Sequence, residues 1–530
     1  MPFRRTPSRM VAVGKFEINV LKPFTDKKNA KDNEKLDLEL NREVRAIAEI
    51  EIASGRERGL QIVAYHNGRK IVDICAGSTG EKDAVTPETR FMAYSVAKGV
   101  SATIIARAID KGPAKYTDAV SQHWPAFGAR GKENITIAEA LGHRAGLRAN
   151  SLCPLKLFWL VLVGRCADGM SAGIEWIAAC TPTWNGTQRA RYHPTSWSWI
   201  AGGIYKHVAT GSTHINDGAA ELARTLGMLK EELQLGEIDG RRGPRADARG
   251  PIARMVVPRR ILPEGFFALP EAARPSVAFR FPRPELDLWS SWIALCVVTI
   301  CFGYPMLIFS YILYAVMRLA VLAPFYILAC IESYVWVLIG NWSAFLSVCL
   351  PSSNGVFTAR ALGAMYGALA NGGSLEDGTT VLSAKAMKEL RRLIDDPMED
   401  VQGTLPARPA RQTCGFSPWM GGMFERRLTS QLHARGSEVC VLHPCPRLPI
   451  LGHTGMGGCC AYADLEEKLA VVVLKNAFSP ELVNGNAPGR TFELIDNKIR
   501  AHLFQQSLNE VQTPAAPGRR PQASPARRRR

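Results

Sequence analysis

Residues 91–110, FMAYSVAKGVSATIIARAID, contain the local pattern on which the interpretation of the whole chain depends. From Ser95 onward the apolar residues recur with helical spacing, and residues 111–113 (KGP) end the run, so a helix is predicted here. Because positions i and i+3 share one face of a helix, the Lys98 side chain can lie beside the Ser95 hydroxyl. That face is otherwise apolar, so Lys98 is expected to be buried with a lowered pKa. Taken alone, the pair is also explained by an N-capping serine followed by a surface lysine.

Two further motifs carry candidate chemistry. Residues 191–195 (RYHPT) precede an apolar helical run at 197–208, and Tyr192 taken alone is explained as a packing residue. Residues 452–458 (GHTGMGG) come before the last pair of predicted strands. Glycines there permit close approach of the backbone to a ligand, and a strand edge can supply an N–H group to an oxyanion. The alternative for this motif is an ordinary glycine-rich turn.

The secondary-structure pattern predicts an α+β fold. Two β-rich runs near the N-terminus are joined by Asn67-Gly68, the strongest short hairpin signal, and two more lie near the C-terminus. Strands are predicted at 60–66, 70–76, 459–464 and 469–474, and helices at 95–110, 135–141, 197–208, 358–370 and 490–503. Strands at both ends with helices between them favour an antiparallel sheet in which the N-terminal and C-terminal strands join.

Composition excludes several classes of protein. The 530 residues carry a net charge of +17, but much of the excess lies in residues 241–283, with ten arginines, and in the tail at 517–530, with six. No basic stripe is interleaved with aromatics, so a nucleic-acid partner is not predicted. Thirteen cysteines without framework spacing indicate reduced thiols. A zinc site at Cys440, His443 and Cys445 is weighed against a loop with ordinary thiols, and the loop is favoured; no metal and no cofactor are predicted.

One segment departs from the globular pattern. Residues 288–317 contain no charged residue. This uncharged run is longer than the roughly 20 residues needed to cross a bilayer. A second apolar run, 319–350, is interrupted by Pro324 and Glu332. We predict an apolar helical hairpin in a membrane, entering at 289–317 and returning at about 325–342. A buried helical pair and a mistranslated insert remain as alternatives.

The membrane prediction has consequences for topology and location. Ser95 and Tyr192 precede the apolar segment and His453 follows it, so one site containing all three requires an even number of spans. The arginine-rich flank at 241–283 then predicts a cytoplasmic catalytic domain on a membrane. The arginine-rich, nearly acid-free N-terminus leaves a mitochondrial presequence as the alternative.

In their order and separations, the three motifs resemble the serine β-lactamase and penicillin-binding superfamily. They are most similar to its class C branch, with its carboxylesterases and the eukaryotic β-lactamase-like proteins. Residues 135–147 (ITIAEALGHRAGL) and 351–373 are also similar to segments of that family. The resemblance implies an antiparallel sheet flanked by helices, with a helical subdomain beside it. The expected domain organisation follows from the resemblance. The β-lactamase-like domain has two parts, at 41–236 and 351–505. Between them lie an Arg/Pro-rich linker at 237–287 and the apolar insert at 288–350, and the chain begins with a basic arm at 1–40 and ends with a basic, disordered tail at 506–530.

The resemblance also implies roles for individual residues. Ser95 corresponds to the nucleophile, and Lys98 either lowers the pKa of Tyr192 or takes the proton itself, with Tyr192 as general base and then acid. The backbone N–H groups of Ser95 and Met456 correspond to the oxyanion hole. The remaining triplet corresponds to substrate-binding positions: His453, Thr454 and Gly455.

Two departures from the family pattern bear on the substrate. The family's Tyr-x-Asn is Tyr192-His193-Pro194 here, and its Lys-Thr-Gly is His453-Thr454-Gly455, which replaces a permanent positive charge by a mostly neutral group. Both favour an uncharged ester or amide, small or lipid-like, over a β-lactam. The function expected is a membrane-associated, carboxylesterase-like serine hydrolase. The alternative is an inactive or weakly active scaffold, in which Cys459 and Cys460 crowd the site; the oligomeric state is not predicted.

Overall fold

The computed structural model describes residues 38–80, 83–147, 169–183, 192–211, 213–236, 252–256, 337–395, 450–478 and 489–512. The strands in these ranges are β1 (Gly59–His66), β2 (Arg69–Gly77), β3 (Phe91–Met92), β4 (Leu233–Leu235), β5 (Gly355–Phe357), β6 (Ile450–Thr454), β7 (Cys460–Asp464) and β8 (Leu469–Lys475). The helices are α1 (Leu38–Ala53), α2 (Val96–Lys111), α3 (Val120–His123), α4 (Ile137–Leu141), α5 (Gly169–Ala179), α6 (Trp197–Val208), α7 (Ile215–Thr225), α8 (Ser343–Leu346), α9 (Ala359–Ala370), α10 (Ala384–Asp395) and α11 (Arg490–Gln512). Short 3-10 turns lie at Pro125–Gly128 and Lys230–Glu232.

The main sheet is antiparallel, with the strand order β2-β1-β8-β7-β6. The N-terminal hairpin turns at Asn67 and Gly68, both with positive φ as a tight two-residue turn requires. β1 pairs with β8 along its length, from Leu60 opposite Lys475 to His66 opposite Leu469. This confirms the prediction that the N-terminal and C-terminal strands join in one antiparallel sheet. A smaller sheet has the order β3-β5-β4.

Helices cover both faces of the main sheet. Alternate residues of a strand point to opposite faces, so Ile62 of β1 packs with α1 and α11, whereas Val63 packs on the side of α2 and α9. β8 (LAVVVLK) is buried at every position for the same reason. The helical subdomain around α5, α6 and α7 adjoins α2, which places the first turn of α2 between it and β6.

Helix α9 lies close against β1 because it carries glycine where larger residues do not fit. A Cβ atom at Gly363 would stand 2.4 Å from Val63 Cγ1. We expect Gly363→Ala to lower the free energy of unfolding by about 1–3 kcal/mol through overpacking. Removing the obstructing methyl groups with Val63→Ala should relieve the clash, so the double variant should lose less stability than the two single variants summed. Urea unfolding measures all three, and strictly additive losses would contradict this packing.

The two sides of the chain that flank residues 257–336 meet at a pair of hydrogen bonds. The Met255 backbone N–H donates to Asn341 Oδ1, and Asn341 Nδ2 donates to the Met255 carbonyl, both at 2.9 Å. A Cβ atom at Gly340 would lie 2.8 Å from the Tyr94 hydroxyl, so this Asn341–Met255 clasp packs directly behind the start of α2. The intervening chain therefore leaves and re-enters the domain at one place. This adjacency is compatible with a membrane hairpin and equally with a segment that folds outside a membrane.

The apolar segment is described only from residue 337 onward. Val337, Phe345, Leu346 and Leu350 are buried in the main core, so this end of the predicted insert is part of the domain's interior. Within the described ranges, no helix combines the length and the apolar character that a membrane crossing needs. The predicted hairpin at 289–317 and about 325–342 lies otherwise outside the described residues and stays a prediction.

Candidate active site

The chain makes a sharp turn into α2 at the candidate nucleophile. Tyr94 has a φ of 45°, an unusual conformation for a residue with a side chain, and Ser95 follows as the N-cap of α2. Strained backbone of this kind is concentrated at functional sites. The Ser95 side chain makes no capping hydrogen bond, so the interpretation of this residue as an ordinary N-cap is wrong.

Ser95, Lys98 and Tyr192 come together as the motifs predicted. Ser95 Oγ lies 2.8 Å from Tyr192 Oη and 3.3 Å from Lys98 Nζ. Lys98 is completely buried, as the apolar face of α2 predicted, and its Nζ lies 4.9 Å from the centre of the Tyr192 ring. The serine hydroxyl is therefore flanked by two groups able to exchange protons with it.

Two backbone carbonyls complete the surroundings of Lys98. Its Nζ donates to the carbonyls of Pro194 at 3.0 Å and Ser352 at 2.9 Å. Ser352 is itself fixed, because its N–H donates to Ser198 Oγ and its hydroxyl donates to the Pro194 carbonyl. This arrangement was not predicted from the sequence, because both acceptors are backbone carbonyls, which no residue type signals.

Burial controls the protonation of the site. Desolvation lowers the pKa of Lys98 well below its usual 10.5, because no anion compensates the charge of the ammonium form. Desolvation raises the pKa of the Tyr192 phenol, against the smaller opposing effect of its hydrogen bond with Ser95. Both groups are therefore favoured in their neutral forms, an amine and a phenol.

A pair of buried histidines holds the segment that carries Tyr192. The His193 backbone N–H donates to His143 Nδ1 at 2.9 Å, and the Leu147 N–H donates to His193 Nε2 at 3.0 Å. The His143 ring also packs on Tyr192, with ring centres 4.9 Å apart. Burial lowers the pKa of His143 well below 6.5, so it stays neutral and keeps Nδ1 as an acceptor. No role was predicted from the sequence for either histidine.

The glycine motif lies beside Ser95. A Cβ atom at Gly455 would be 2.2 Å from the Ala93 carbonyl, so only glycine allows this approach to the turn before α2. The Gly455 N–H donates to the Cys459 carbonyl at 2.7 Å, which closes the turn between β6 and β7. Within the described part of the chain, the backbone N–H groups of Ser95 and Met456 donate to no protein acceptor. Both predicted oxyanion donors are thus unpaired among the described residues.

His453 is the predicted substrate-binding residue with the most distinctive surroundings. It is 5% exposed, and its ring centre lies 6.1 Å from that of Tyr192. Burial, and next the neighbouring Lys98, lower its pKa to about 3. Nδ1 lies 2.7 Å from the Thr454 carbonyl, and Nε2 has no hydrogen-bond partner among the described residues. Thr454 itself is partly exposed.

The two adjacent cysteines face opposite sides of β7. Cys459 packs in the core next to α2, where the Lys475 N–H donates to its Sγ, and Cys460 packs on the side of α11. Neither forms a hydrogen bond with the three side chains at the site among the described contacts. The described ranges hold no cluster of His, Cys, Asp or Glu suited to a metal ion, and Cys440, His443 and Cys445 lie outside them.

A family model described as Beta-lactamase matches residues 40–493 of this chain, which includes every residue of the site described above. The chain belongs to the beta-lactamase family. It is a serine hydrolase of that family, in agreement with the resemblance found in the sequence. A curated relative is the Esterase/beta-lactamase LipL of Mycobacterium tuberculosis (strain ATCC 25618 / H37Rv). It is 26% identical over 445 residues, which cover 83% of this chain and 82% of LipL.

Solved structures share the fold. A family VIII carboxylesterase is 20% identical with a TM-score of 0.55, over 86% of this chain and 95% of the other. A penicillin-binding protein homolog from Caulobacter crescentus is 22% identical with a TM-score of 0.54, over 86% and 96%. The α+β architecture predicted from the sequence, an antiparallel sheet between helices with a helical subdomain, is thereby confirmed.

Proposed function

We propose that this enzyme hydrolyses uncharged esters through an acyl-enzyme formed on Ser95. The observation that carries the proposal is the pairing of a buried lysine with two carbonyl acceptors beside a serine hydroxyl. A neutral amine has two N–H donors and one lone pair. The carbonyls of Pro194 and Ser352 can only accept, so they take both donors, and the lone pair of Lys98 is left for the Ser95 hydroxyl.

This arrangement favours Lys98 as the group that takes the proton itself, one of the two roles considered from the sequence. As Ser95 Oγ bonds to the carbonyl carbon of the ester, its proton passes to Lys98 Nζ. Tyr192 donates its phenolic proton to the departing alkoxide as the ester C–O bond breaks, and recovers a proton from Lys98. Water then attacks the acyl group by the same steps in reverse, which releases the acid and restores the Ser95 hydroxyl.

The developing oxyanion has two backbone donors in this proposal. These are the N–H groups of Ser95 and Met456, which closely follow residues 93 and 455 in the chain, and those two residues lie in direct contact. A preorganised donor of this kind contributes roughly 3 kcal/mol to the stability of the transition state. Ser95 lies at the N-terminus of α2, so the positive end of the helix dipole also stabilises the negative charge of the oxyanion.

The choice of an uncharged substrate rests on His453 and on relatives. His453 is neutral at any pH well above 3, so it provides no positive charge for a substrate carboxylate. The name of LipL includes both esterase and beta-lactamase activity, and a carboxylesterase shares the fold. A lipid-like ester, the association with a membrane, and a cytoplasmic or mitochondrial location remain predictions from the sequence.

The dependence of activity on pH separates Lys98 from Tyr192 as the base. The base must be unprotonated, so kcat/KM should fall as pH decreases through its pKa and level off above it. If Lys98 is the base, the plateau should be reached well below pH 10, because burial lowers its pKa from 10.5. Initial rates with a short p-nitrophenyl ester, corrected for spontaneous hydrolysis, measure the profile. A rate still rising at pH 10 would instead assign the role to Tyr192, whose pKa is raised.

A fluorophosphonate probe distinguishes the proposed hydrolase from the inactive scaffold. Such probes react with serine hydroxyl groups that have been activated, so covalent labelling of Ser95 requires the assembled surroundings of Lys98 and Tyr192. An inactive scaffold would leave the protein unlabelled even though the fold is intact.

A further inference from the structure

The hydrogen bond of His453 to the neighbouring backbone fixes which ring nitrogen carries the proton. The Thr454 carbonyl has no hydrogen to donate, so the 2.7 Å contact requires the proton to be on Nδ1. The ring is neutral, because its burial disfavours the charged form. A neutral imidazole with its proton on Nδ1 presents a bare lone pair at Nε2. His453 is therefore an acceptor at the site and not a donor.

This acceptor is left without a partner. Nε2 is enclosed and receives no hydrogen bond from any described residue. A buried polar atom in this condition costs free energy, and native proteins keep few of them without a reason. The ring stands 6.1 Å from that of Tyr192, whose hydroxyl contacts the Ser95 nucleophile, so the unpaired Nε2 belongs to the immediate neighbourhood of the reacting groups.

We propose that the enzyme selects esters that carry a hydrogen-bond donor, a hydroxyl or N–H group, in the part that lies against His453 Nε2. The inference rests on the proposed acyl-enzyme function and specifies its substrate class. A carboxylate has only acceptor oxygens, so its lone pairs would face the lone pair of Nε2 and the substrate would be rejected. A purely alkyl group would leave Nε2 without a hydrogen-bond donor. Discrimination of this kind is strong, because the analogue that lacks the donor leaves a buried group of the protein unsatisfied.

Two matched series of esters test the selection. On the alcohol side these are 2-hydroxyethyl, n-propyl and carboxymethyl butanoate, and on the acyl side ethyl 3-hydroxybutanoate and ethyl butanoate. In at least one series, kcat/KM for the hydroxyl compound should exceed that of its alkyl partner by about 10-fold or more. In the alcohol series, the carboxymethyl ester should be the poorest substrate. Equal values for the hydroxyl and alkyl esters in both series would overturn the inference.

Variants at position 453 connect the preference to this residue. His453→Leu should bring the ratio of hydroxyl to alkyl ester close to one, and His453→Lys, which presents only donors, should shift the preference toward the carboxymethyl ester. His123→Gln is the matched control, because that histidine pairs with Asp118 away from the site and should keep the wild-type ratio. Retention of the preference in His453→Leu would refute the assignment.

A spectroscopic measurement tests the tautomer without any turnover. In long-range 1H–15N spectra of the whole protein with labelled histidine, the signals missing from His453→Gln identify His453. We expect a protonated Nδ1 and a bare Nε2, and a proton on Nε2 would overturn the inference. Fluorophosphonate labelling without a substrate preference would remove only this inference. Absence of both labelling and hydrolysis of every ester would remove the proposed function together with it.

Discussion

Ser95→Ala is expected to abolish both ester hydrolysis and labelling by a fluorophosphonate. Ser95 Oγ is the atom that the tyrosine hydroxyl and the lysine amine both contact, so no other group at the site can take its place. Removal of a serine nucleophile that acts as a unit with its base lowers kcat by about 10⁶-fold in a well-studied protease. We expect a loss of at least about 10⁴-fold here, measured with a p-nitrophenyl ester and by gel fluorescence.

Ser121→Ala is the matched control for this variant. Its hydroxyl donates to the Glu133 carbonyl in another part of the domain, and the variant should label and hydrolyse like the wild type. Equal melting temperatures for the two variants would show that the loss is chemical. Full esterase activity in Ser95→Ala would disprove the mechanism.

Tyr192→Phe and Lys98→Met are each expected to lower kcat/KM by about 10²–10⁴-fold, the range typical of general acid–base groups. In the proposed steps the two residues handle one proton between them. The double variant should therefore be barely slower than the poorer single variant. Tyr192→Phe keeps the ring that packs on His143, so its effect is confined to the hydroxyl.

Lys98→Met needs a check of stability, because it removes one hydrogen-bond donor from each of the carbonyls of Pro194 and Ser352. Thermal unfolding of all three variants provides it. If the two losses instead multiply in the double variant, Lys98 and Tyr192 act independently, and the transfer of a proton between them is wrong.

Local spacing was enough to predict the contact between Ser95 and Lys98, whereas Tyr192 was assigned to the site only through the family resemblance. The i, i+3 relation placed Lys98 beside Ser95, and the apolar face of the helix predicted its burial. The Asn67-Gly68 turn and the flanking β-rich runs predicted the hairpin, and the pairing of β1 with β8 followed from strands at both ends of the chain. These features depend on short-range geometry or on a simple topological rule, and both can be inferred from a sequence.

The surroundings of Lys98 could not be predicted in the same way. The acceptors from Pro194 and Ser352 are backbone carbonyls, which every residue has, so no residue type signals them. The contact of His143 with residues 192 and 193 joins parts of the chain about fifty positions apart, and nothing in local spacing reveals it. Hydropathy likewise does not distinguish a helix in lipid from one in a protein core, which is why residues 337–350 were included in the insert.

The Asn341–Met255 clasp has a consequence for changes in the length of the chain between its two partners. Closing a flexible loop has an entropic cost that rises only with the logarithm of its length, by about 0.6 kcal/mol for each doubling. Each of the two hydrogen bonds contributes a net stabilisation of comparable size. By this rule, a change in the length of a flexible loop between the two partners would cost little folding free energy. The two hydrogen bonds would then hold both ends of the intervening chain beside the turn that carries the nucleophile, whatever the length of that chain.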